Sequence, residues 1–279
     1  MDIIESMLSR HPRGNDLEVT NALRETMQEI ALAGLQRAGF FEKAAFYGGT
    51  CLRIFHGLPR YSEDLDFSLL KANKLFSFEP YFQKLKQEFQ SLGFEVEITE
   101  KQKTSVTDIA SAFLKKTSSR YDLKINGQKV LKIKFEVDTD PPIGFSVEQK
   151  LLLQPYPFYV KCFSLPDLFA GKAHALLFRQ WQNRIKGRDW YDFEWYVRKG
   201  VSLNRHHLAI RAQQSGHWNS EVMSKQDLAK LFADRIQVID PKLARDDVMR
   251  FIKNPKDLDI WSQSYFQDLA NAMVENSVG

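Results

Sequence analysis

A glycine turn followed by two aspartates constrains the fold of this chain more than any other segment. Residues 47–68 begin Tyr-Gly-Gly-Thr, and thirteen residues separate Thr50 from the string Asp64-Leu65-Asp66. Glycines allow backbone N–H groups to close around a phosphate. Carboxylates two residues apart on a strand point to the same face, where they can share divalent cations. An Asp-x-Asp pair alone is common by chance, but the glycine turn before it favours a site for a nucleotide and a metal ion.

Size and composition place the chain among ordinary globular proteins. Its 279 residues suffice for one large domain or two modest ones. No apolar run approaches the roughly 18 residues of a membrane span, and the first residues lack the basic start and apolar stretch of a signal peptide. Cys51 and Cys162 form neither a disulfide framework nor a zinc motif. We therefore expect a cytoplasmic protein with no membrane partner. The net charge of +4 permits an anionic partner without requiring one.

The first half of the chain mixes helical and strand patterns. Apolar residues recur every three or four positions in two segments, which predicts helices over residues 16–38 and 79–92. The run at residues 43–47 predicts a strand or a helix edge, and Thr50 is expected to cap a short helix that follows. Asn-Gly is the strongest short-range cue for a β-hairpin. Strands are therefore expected at residues 65–70 and 94–99, and on either side of Asn126-Gly127 at residues 121–125 and 129–137.

The second half of the chain reads as helical. After Pro157, strand patterns become scarce. We therefore predict an α/β part over residues 1–155 and a helical part over residues 156–279. Helices are expected at residues 166–185, 189–198, 204–214, 224–236, 241–253 and 261–275.

A third carboxylate would complete a two-metal site, and two residues are candidates for it. Glu136 and Asp138 lie on the polar face of the strand after the hairpin, from which either could meet the strand of Asp64 and Asp66 across a sheet. The alternative is a solvated strand face of alternating Lys and Glu. We prefer Glu136 because it lies deeper in the strand, whereas Asp138 is near its end.

A dense charged segment opens the helical part. Lys172 and Arg179 are two helical turns apart and share a face that could meet a triphosphate. Arg188 and Asp189 begin the next helix after Gly187. A carboxylate near a helix N-terminus is also favourable as a cap or dipole partner, so Asp189 has a structural alternative. For Lys172 the alternative is a solvated helix face.

Seven basic residues cluster around the predicted hairpin. A basic hairpin could hold an RNA backbone. Lysines that protect a sheet edge against aggregation explain the pattern equally well, so both interpretations stay open. The seven residues are Lys115, Lys116, Arg120, Lys124, Lys129, Lys132 and Lys134.

Four separated motifs resemble one family of the polymerase-β-like nucleotidyltransferase superfamily. This family is the AbiEii-type nucleotidyltransferases, the toxin component of abortive-infection toxin–antitoxin pairs. The resemblance covers roughly residues 40–200 and implies an α+β fold, in which a mixed sheet with helices precedes a helical C-terminal domain. The motifs are Gly48-Gly49-Thr50-Cys51-Leu52-Arg53, Arg60-Tyr61-Ser62-Glu63-Asp64-Leu65-Asp66-Phe67, Ile133-Lys134-Phe135-Glu136-Val137, and Lys172 with Arg188-Asp189-Trp190-Tyr191-Asp192-Phe193.

The resemblance also implies a role for each matching residue. Asp64, Asp66 and Glu136 would bind Mg²⁺, with Mn²⁺ as an alternative. Lys172 resembles the lysine of the family that neutralises phosphate charge, and Asp189 resembles its late catalytic carboxylate. The triphosphate would be held by Gly48, Gly49 and Thr50, with Ser62 supporting the loop and Arg53 and Arg188 as further candidates for nucleotide binding.

The sequence thus predicts a Mg²⁺-dependent toxin that transfers NMP from an NTP to an acceptor such as a tRNA 3′ end. The resemblance further implies a cognate antitoxin that binds DNA. Two alternatives stay open. The acceptor could be a protein or a small molecule, or the chain could bind nucleotides without turning them over.

Overall fold

The chain forms two compact units, each made of three chain segments. The computed structural model describes residues 3–100, 118–126, 131–179 and 185–279. We call the first the sheet unit; it comprises Met1–His56, Glu63–Pro141 and Val147–Cys162. The second, the helical unit, comprises Gly57–Ser62, Pro142–Ser146 and Phe163–Gly279. The predicted boundary at residues 155/156 falls between the last two strands of the chain.

A mixed sheet forms the centre of the first unit. Its seven strands lie in the order β3-β4-β5-β2-β1-β7-β6. β2 pairs with β1 in antiparallel and with β5 in parallel fashion. β1 in turn pairs in parallel with β7. The strands are β1 (Ala44–Tyr47), β2 (Leu65–Leu69), β3 (Glu95–Glu100), β4 (Ser118–Asn126), β5 (Leu131–Asp138), β6 (Val147–Leu152) and β7 (Phe158–Phe163).

One face of the central strands carries the aromatic core. Phe67 on β2 and Phe135 on β5 are fully buried and stack with ring centroids 6.4 Å apart. Phe40 and Phe78 cover them, with centroids 5.0 Å from Phe67 and 5.6 Å from Phe135. Because side chains alternate along a strand, the neighbouring polar residues of β2 and β5 point to the opposite face.

The long helices of the sheet unit agree with the sequence pattern, whereas the first helix, at Ile3–Leu8, was not predicted and the helix at the glycine turn begins elsewhere than expected. Asn15 caps the long helix α2, and Gly39, at φ +74°, follows its end. The predicted cap at Thr50 is wrong, because α3 begins two residues earlier and follows β1 without a loop. The helices among the described residues of this unit are α1 (Ile3–Leu8), α2 (Asp16–Arg37), α3 (Gly48–His56) and α4 (Glu79–Ser91).

The predicted hairpin is present, and a second hairpin was not predicted. β4 and β5 pair in antiparallel fashion, with Ile125 opposite Leu131, whereas Gly127 of the predicted turn lies outside the described residues. β6 and β7 were not predicted, because Pro155 and Pro157 interrupt the apolar pattern of this segment. In addition, β6 places Val147 and Leu151 on an exposed face, so that its burial pattern does not resemble a core strand.

Six helices form most of the described part of the helical unit. The first ends at Phe178, earlier than predicted, and residues 180–184 with Trp181 and Arg184 lie outside the described residues. The helix predicted at residues 241–253 stops at Val248 and continues as a 3₁₀ turn. Within the described part of the chain, no helix is long and apolar enough to cross a membrane. The helices are α5 (Leu165–Phe178), α6 (Gly187–Arg198), α7 (Arg205–Gln214), α8 (Lys225–Gln237), α9 (Pro241–Val248) and α10 (Gln263–Glu275).

Candidate functional site

The backbone at Gly48 lies directly against the carboxylate of Asp66. Gly48 adopts a φ of +80°, which side chains of L-residues rarely tolerate. A Cβ at this position would lie 2.3 Å from Oδ2 of Asp66, far inside van der Waals contact. The pairing of β1 with β2, which sets Tyr47 opposite Asp66, brings the two together. Only glycine therefore allows helix α3 to begin beside this carboxylate.

Strand register places Glu136 next to Asp66. The two residues are Cα partners in the parallel pair β2–β5, so that their side chains share one face of the sheet. Both are half-buried. Asp138 is the partner of Ser68 instead and lies two pairs further along the strand. Of the two candidates for the third carboxylate, Glu136 is thus the neighbour of Asp66.

Asp64 occupies the exposed end of the same face. It precedes β2, and its side chain is 45% exposed. Nζ of Lys134 lies 3.8 Å from its Oδ1, and the side chain of Lys134 is 62% exposed. At this exposure the ion pair adds little to stability because water screens it. This ion pair therefore holds Asp64 only weakly.

The donor chemistry of this face fits a hard divalent cation. Asp64, Asp66 and Glu136 offer carboxylate oxygens, the ligands that Mg²⁺ and Mn²⁺ prefer. Among the described residues, no three His, Cys, Asp or Glu side chains already have the arrangement of a ligand set. Asp66 and Glu136 are the adjacent pair, and Asp64 lies beside Lys134.

Thr50 joins the glycine turn to the aspartate strand. Its side chain is fully buried, and its hydroxyl donates a hydrogen bond to the backbone carbonyl oxygen of Asp64. The hydroxyl is thereby occupied, so Thr50 can offer a nucleotide only its backbone N–H. The sequence attributed to Thr50 a role at the triphosphate, but its side chain instead fixes the start of β2 relative to α3.

Arg53 binds a buried glutamate. Its Nε and Nη2 donate to the two carboxylate oxygens of Glu25 on α2, at 2.5 and 3.2 Å. His11 also lies 2.9 Å from this carboxylate. Burial alone would raise the pKa of Glu25, but the hydrogen bonds from His11 and Arg53 outweigh it and lower that pKa. Arg53, expected to bind the nucleotide, thus anchors α3 to α2.

In the helical unit, Lys172 lies between two aspartates of α6. Its ammonium nitrogen is 2.7 Å from Oδ1 of Asp189 and 2.8 Å from Oδ2 of Asp192. Asp192 is fully buried and also accepts two hydrogen bonds from Arg60, at 2.5 and 2.6 Å. These four residues form a charge-balanced network, which we call the ion-pair network. Its partly exposed members are Lys172 and Asp189, at 15% and 13%.

The ion-pair network keeps Arg60, Lys172 and Asp192 ionised. Burial alone would lower the pKa of Lys172, but the charges of Asp189 and Asp192 outweigh it and raise that pKa. Burial alone would raise the pKa of Asp192, yet Arg60 and Lys172 together lower it. Lys172 is therefore a permanent cation at neutral pH and cannot act as a general base there.

Sequence reasoning did not assign Arg60 and Asp192 to the site, although both lie in motifs it quoted. A usable signal existed, because Asp189 and Asp192 are three residues apart and so share a helix face. Ser62 lies in the same short segment as Arg60, and this segment is fixed by a hydrogen bond from Tyr61 N–H to Phe251 O of 2.9 Å. Arg188 lies over the Phe251 ring, 4.2 Å from its centroid.

Comparison with known proteins supplies the family. Residues 30–276 match the family model described as the nucleotidyl transferase AbiEii toxin of a type IV toxin–antitoxin system. The chain belongs to this family. It is a nucleotidyltransferase enzyme of the toxin type, and the resemblance seen in its motifs is confirmed. Membership in the AbiEii family implies an NTP substrate, a divalent metal and an antitoxin partner.

Solved structures share the fold of this AbiEii chain. JHP933 from Helicobacter pylori superposes with a TM-score of 0.54 at 15% identity, covering 91% of this chain and 92% of the other. MenT4, a nucleotidyltransferase toxin from Mycobacterium tuberculosis, gives a TM-score of 0.51 at 14% identity, covering 98% and 99%. Identities this low show the fold alone, and they confirm the predicted α+β class. No match was found among curated proteins.

The AbiEii motifs fall into two groups that follow the two units. The sheet unit contains Gly48, Gly49, Thr50, Arg53, Asp64, Asp66 and Glu136, and the helical unit contains Ser62, Lys172, Arg188 and Asp189. Of the basic hairpin, Lys132 and Lys134 are exposed on β5. Lys115, Lys116 and Lys129 lie outside the described residues, as do the side chains of Arg120 and Lys124.

Proposed function

We propose that this AbiEii toxin transfers NMP from an NTP to the 3′ end of an RNA, such as a tRNA. The observation that carries the proposal is the placement of Asp66. Its carboxylate lies against the backbone of Gly48 on one side and beside Glu136 on the other. A nucleotidyl transfer needs a phosphate-binding turn next to metal-binding carboxylates, and here one residue touches both.

We propose Asp64, Asp66 and Glu136 as the ligands of Mg²⁺. The register of β2 and β5 supports Glu136 over Asp138, since only Glu136 is opposite Asp66. The bound metal would supply positive charge to the triphosphate and lower the pKa of the attacking hydroxyl. The protein contributes a fixed pair of carboxylates on two hydrogen-bonded strands.

Gly48 and Gly49 are proposed to hold the triphosphate through their backbone N–H groups. They form the first turn of α3, a helix of nine residues, and the first N–H groups of a helix have no partner within it. These groups and the helix dipole favour a phosphate at this end. The hydrogen bond from Thr50 to Asp64 supports the proposal because it fixes the turn relative to the carboxylates.

Lys172 and Asp189 are proposed to take part in the same reaction, as the family motif implies. Lys172 is held as a cation by two carboxylates, which suits a residue that neutralises phosphate charge. A phosphate oxygen could replace Asp189 as its partner while Asp192 keeps the ammonium in place. Ser62 and Arg188 are proposed as supporting residues in the loop and at the nucleotide.

The proposed transfer balances as a single displacement. The acceptor hydroxyl oxygen forms a bond to the α-phosphorus of the NTP, the bond from that phosphorus to the pyrophosphate breaks, and the hydroxyl proton passes to a base. Positioning and charge neutralisation account for most of the catalysis in such a reaction. No covalent intermediate on a protein side chain is required.

Labelled nucleotide transfer tests the function. Purified protein is incubated with Mg²⁺, total RNA and each α-labelled NTP in turn, beside the Asp66→Ala variant. We expect label in RNA for the wild type and none for the variant. If neither protein labels any RNA, protein or small molecule with any NTP, the catalytic proposal is wrong.

The salt dependence of tRNA binding tests whether the acceptor is RNA. The exposed lysines Lys132 and Lys134 support an RNA acceptor, because contacts to phosphates give an affinity that falls steeply with salt. Binding of labelled tRNA is measured at several salt concentrations. A flat salt response, together with label transfer to a protein or an aminoglycoside, would favour the alternative acceptor.

The antitoxin is proposed to be a small DNA-binding protein that acts with this toxin in the cytoplasm. The type IV family supports an antitoxin as such. The neighbouring gene tests its nature: co-expression should relieve growth arrest, and the purified product should bind the promoter DNA of the pair. A neighbour that relieves arrest without binding DNA would contradict this part of the proposal.

A further inference from the structure

Two helices of the helical unit touch backbone to backbone and open a cavity beside the contact. A Cβ on Gly187, the first residue of α6, would lie 1.8 Å from the carbonyl oxygen of Ala244 on α9. Only glycine allows this approach. Beside it lies a cavity of about 280 Å³, lined by Ile185, Lys186, Arg188, Asp246, Asp247 and Arg250.

Two guanidinium groups in this cavity have N–H donors without an acceptor among the described residues. Arg188 and Arg250 both lie over the ring of Phe251, at 4.2 and 4.7 Å from its centroid. The ring offers no oxygen acceptor, and neither arginine forms an ion pair with a carboxylate of the described residues. Their five N–H donors each match the oxygens of a phosphate.

The charges of the cavity are crowded but nearly balanced. Burial and the positive charge of Arg188 lower the pKa of Lys186, a sign that the cations are close together. Two carboxylates face the three cations, leaving a formal charge of +1. Oδ2 of Asp247 is buried and has no hydrogen-bond partner among the described residues. The cavity thus combines guanidinium donors for an anion with carboxylates that can accept from a hydroxyl.

We propose that this cavity binds a ribose-phosphate unit of the acceptor RNA. The phosphate would bind Arg250 and Arg188, so that Arg188 contacts a nucleotide of the acceptor RNA and not the NTP. Ribose hydroxyls would donate to Asp246 and Asp247. A phosphodiester carries one negative charge, which matches the formal charge of the cavity. An NTP carries the same chemical groups but several more negative charges, which the two aspartates would repel. The inference rests on the proposed function, because it names the place where the RNA acceptor is held.

Arg250→Ala is the decisive variant, since Arg250 is exposed and its loss leaves the helix contact intact. Binding of a labelled single-stranded RNA and of a labelled NTP is measured by fluorescence anisotropy. We expect RNA affinity to fall about tenfold, and the slope of log affinity against log salt to become shallower by about 0.7, the value of one phosphate contact. NTP affinity should stay within about twofold of the wild type.

Two further variants make the result specific. Arg245→Ala removes the same charge from α9 but lies outside the cavity lining, so RNA affinity should change by less than about twofold. Arg250→Lys keeps the charge but not the guanidinium fork. The salt slope should therefore return to the wild-type value, whereas the RNA affinity should recover only in part. Loss of RNA affinity at Arg250 alone supports the proposal, as does this pattern of partial recovery.

Three outcomes decide the assignment. Weaker NTP binding with unchanged RNA binding would keep the ribose-phosphate chemistry but assign the cavity to the NTP. Equal losses for Arg250→Ala and Arg245→Ala would overturn the proposal, since they indicate a diffuse charge effect. Unchanged binding of both ligands would also overturn it. The failure of the proposed function is a separate observation, because it requires that the wild type transfer no label at all.

Discussion

The two units arrange their charged side chains differently. In the sheet unit, the half-buried Asp66 and Glu136 are neighbours on adjacent strands, and Asp64 lies near the exposed Lys134. In the helical unit, the ion-pair network matches two cations with two carboxylates, and Asp192 is fully buried. The first group is the proposed site of a divalent cation, whereas the second balances its own charges.

The difference indicates what each group does. Like charges next to one another repel, so the placement of Asp66 beside Glu136 supports the proposed role of this pair in binding a cation. A buried, balanced network places charges at fixed positions, and removal of one partner leaves an uncompensated charge. Substitutions of Asp66 or Glu136 should therefore reduce activity with little loss of stability. Substitutions in the ion-pair network should reduce stability.

Asp66→Asn should have the largest effect on activity. It removes a proposed metal ligand, whose contribution to transition-state stabilisation is several kcal/mol, so the transfer rate should fall about a thousandfold. Initial rates of label transfer measure it. The urea midpoint should be unchanged or higher, because repulsion with Glu136 is relieved. A marked loss of stability would contradict the expected difference between the two units.

A matched pair of variants identifies the third carboxylate of the proposed metal site. Glu136→Gln should lower the rate about a hundredfold, whereas Asp138→Asn, on the same strand face, should lower it less than about threefold. Transfer rates over a range of Mg²⁺ concentrations provide the comparison, and only Glu136→Gln should need more metal. The reverse order would assign the third ligand to Asp138.

Asp192→Asn should cause the largest loss of stability. Arg60 would stay buried without a carboxylate, at a cost of about 3 kcal/mol. Asp189→Asn should cost about 1 kcal/mol, because Lys172 keeps Asp192 as its partner. All five tryptophans lie after residue 163, so urea unfolding followed by tryptophan fluorescence reports on the helical unit. Equal costs for the two variants would contradict the central place of Asp192.

Gly48→Ala should lower both activity and stability of the sheet unit. The new Cβ would overlap Oδ2 of Asp66, and the positive φ adds strain of about 1 kcal/mol. Gly57→Ala is the control: its φ is +75°, but nothing lies within 4 Å of a Cβ there. Circular dichroism during urea unfolding and transfer rates compare the two. Only Gly48→Ala should lose activity.

The pH dependence of the network gives the smallest effect. Asp192 has a lowered pKa in the folded protein, so its contribution to stability is complete above its unfolded pKa of about 3.9. This contribution is lost as the pH falls through the folded value. The stability difference between the wild type and Asp192→Asn should therefore be constant from about pH 5 to 7 and shrink below pH 4. A difference that instead grows at low pH would contradict the charged state of Asp192.

Much of the fold could be predicted because local sequence specifies it. α2 and α4 follow the apolar periodicity, and β5 alternates so regularly that Ile133, Phe135 and Val137 are all fully buried. The second hairpin could not be predicted, since Pro155 and Pro157 dominate its sequence and its outer face is exposed. Apolar periodicity identifies strands that bury one face, and most residues of β6 are not buried.

The candidate site was predictable in its residues but not in its contacts. The motif around Asp64 and Asp66 identified the carboxylates, yet the position of Glu136 opposite Asp66 follows from strand register, which the sequence does not encode locally. Thr50 and Arg53 were expected at the nucleotide, but their partners Asp64 and Glu25 lie far along the chain. Long-range pairing of this kind is visible only in the folded protein.

Each unit consists of three separate segments, so the chain passes between them five times. No single cut can release either unit with its sequence intact. In particular, the segment Gly57–Ser62 with Arg60 belongs to the helical unit but lies in sequence between α3 and β2 of the sheet unit. Exchange of one unit between related toxins by a single recombination event would therefore separate Arg60 from Asp192. We expect the two halves of this enzyme to be inherited together.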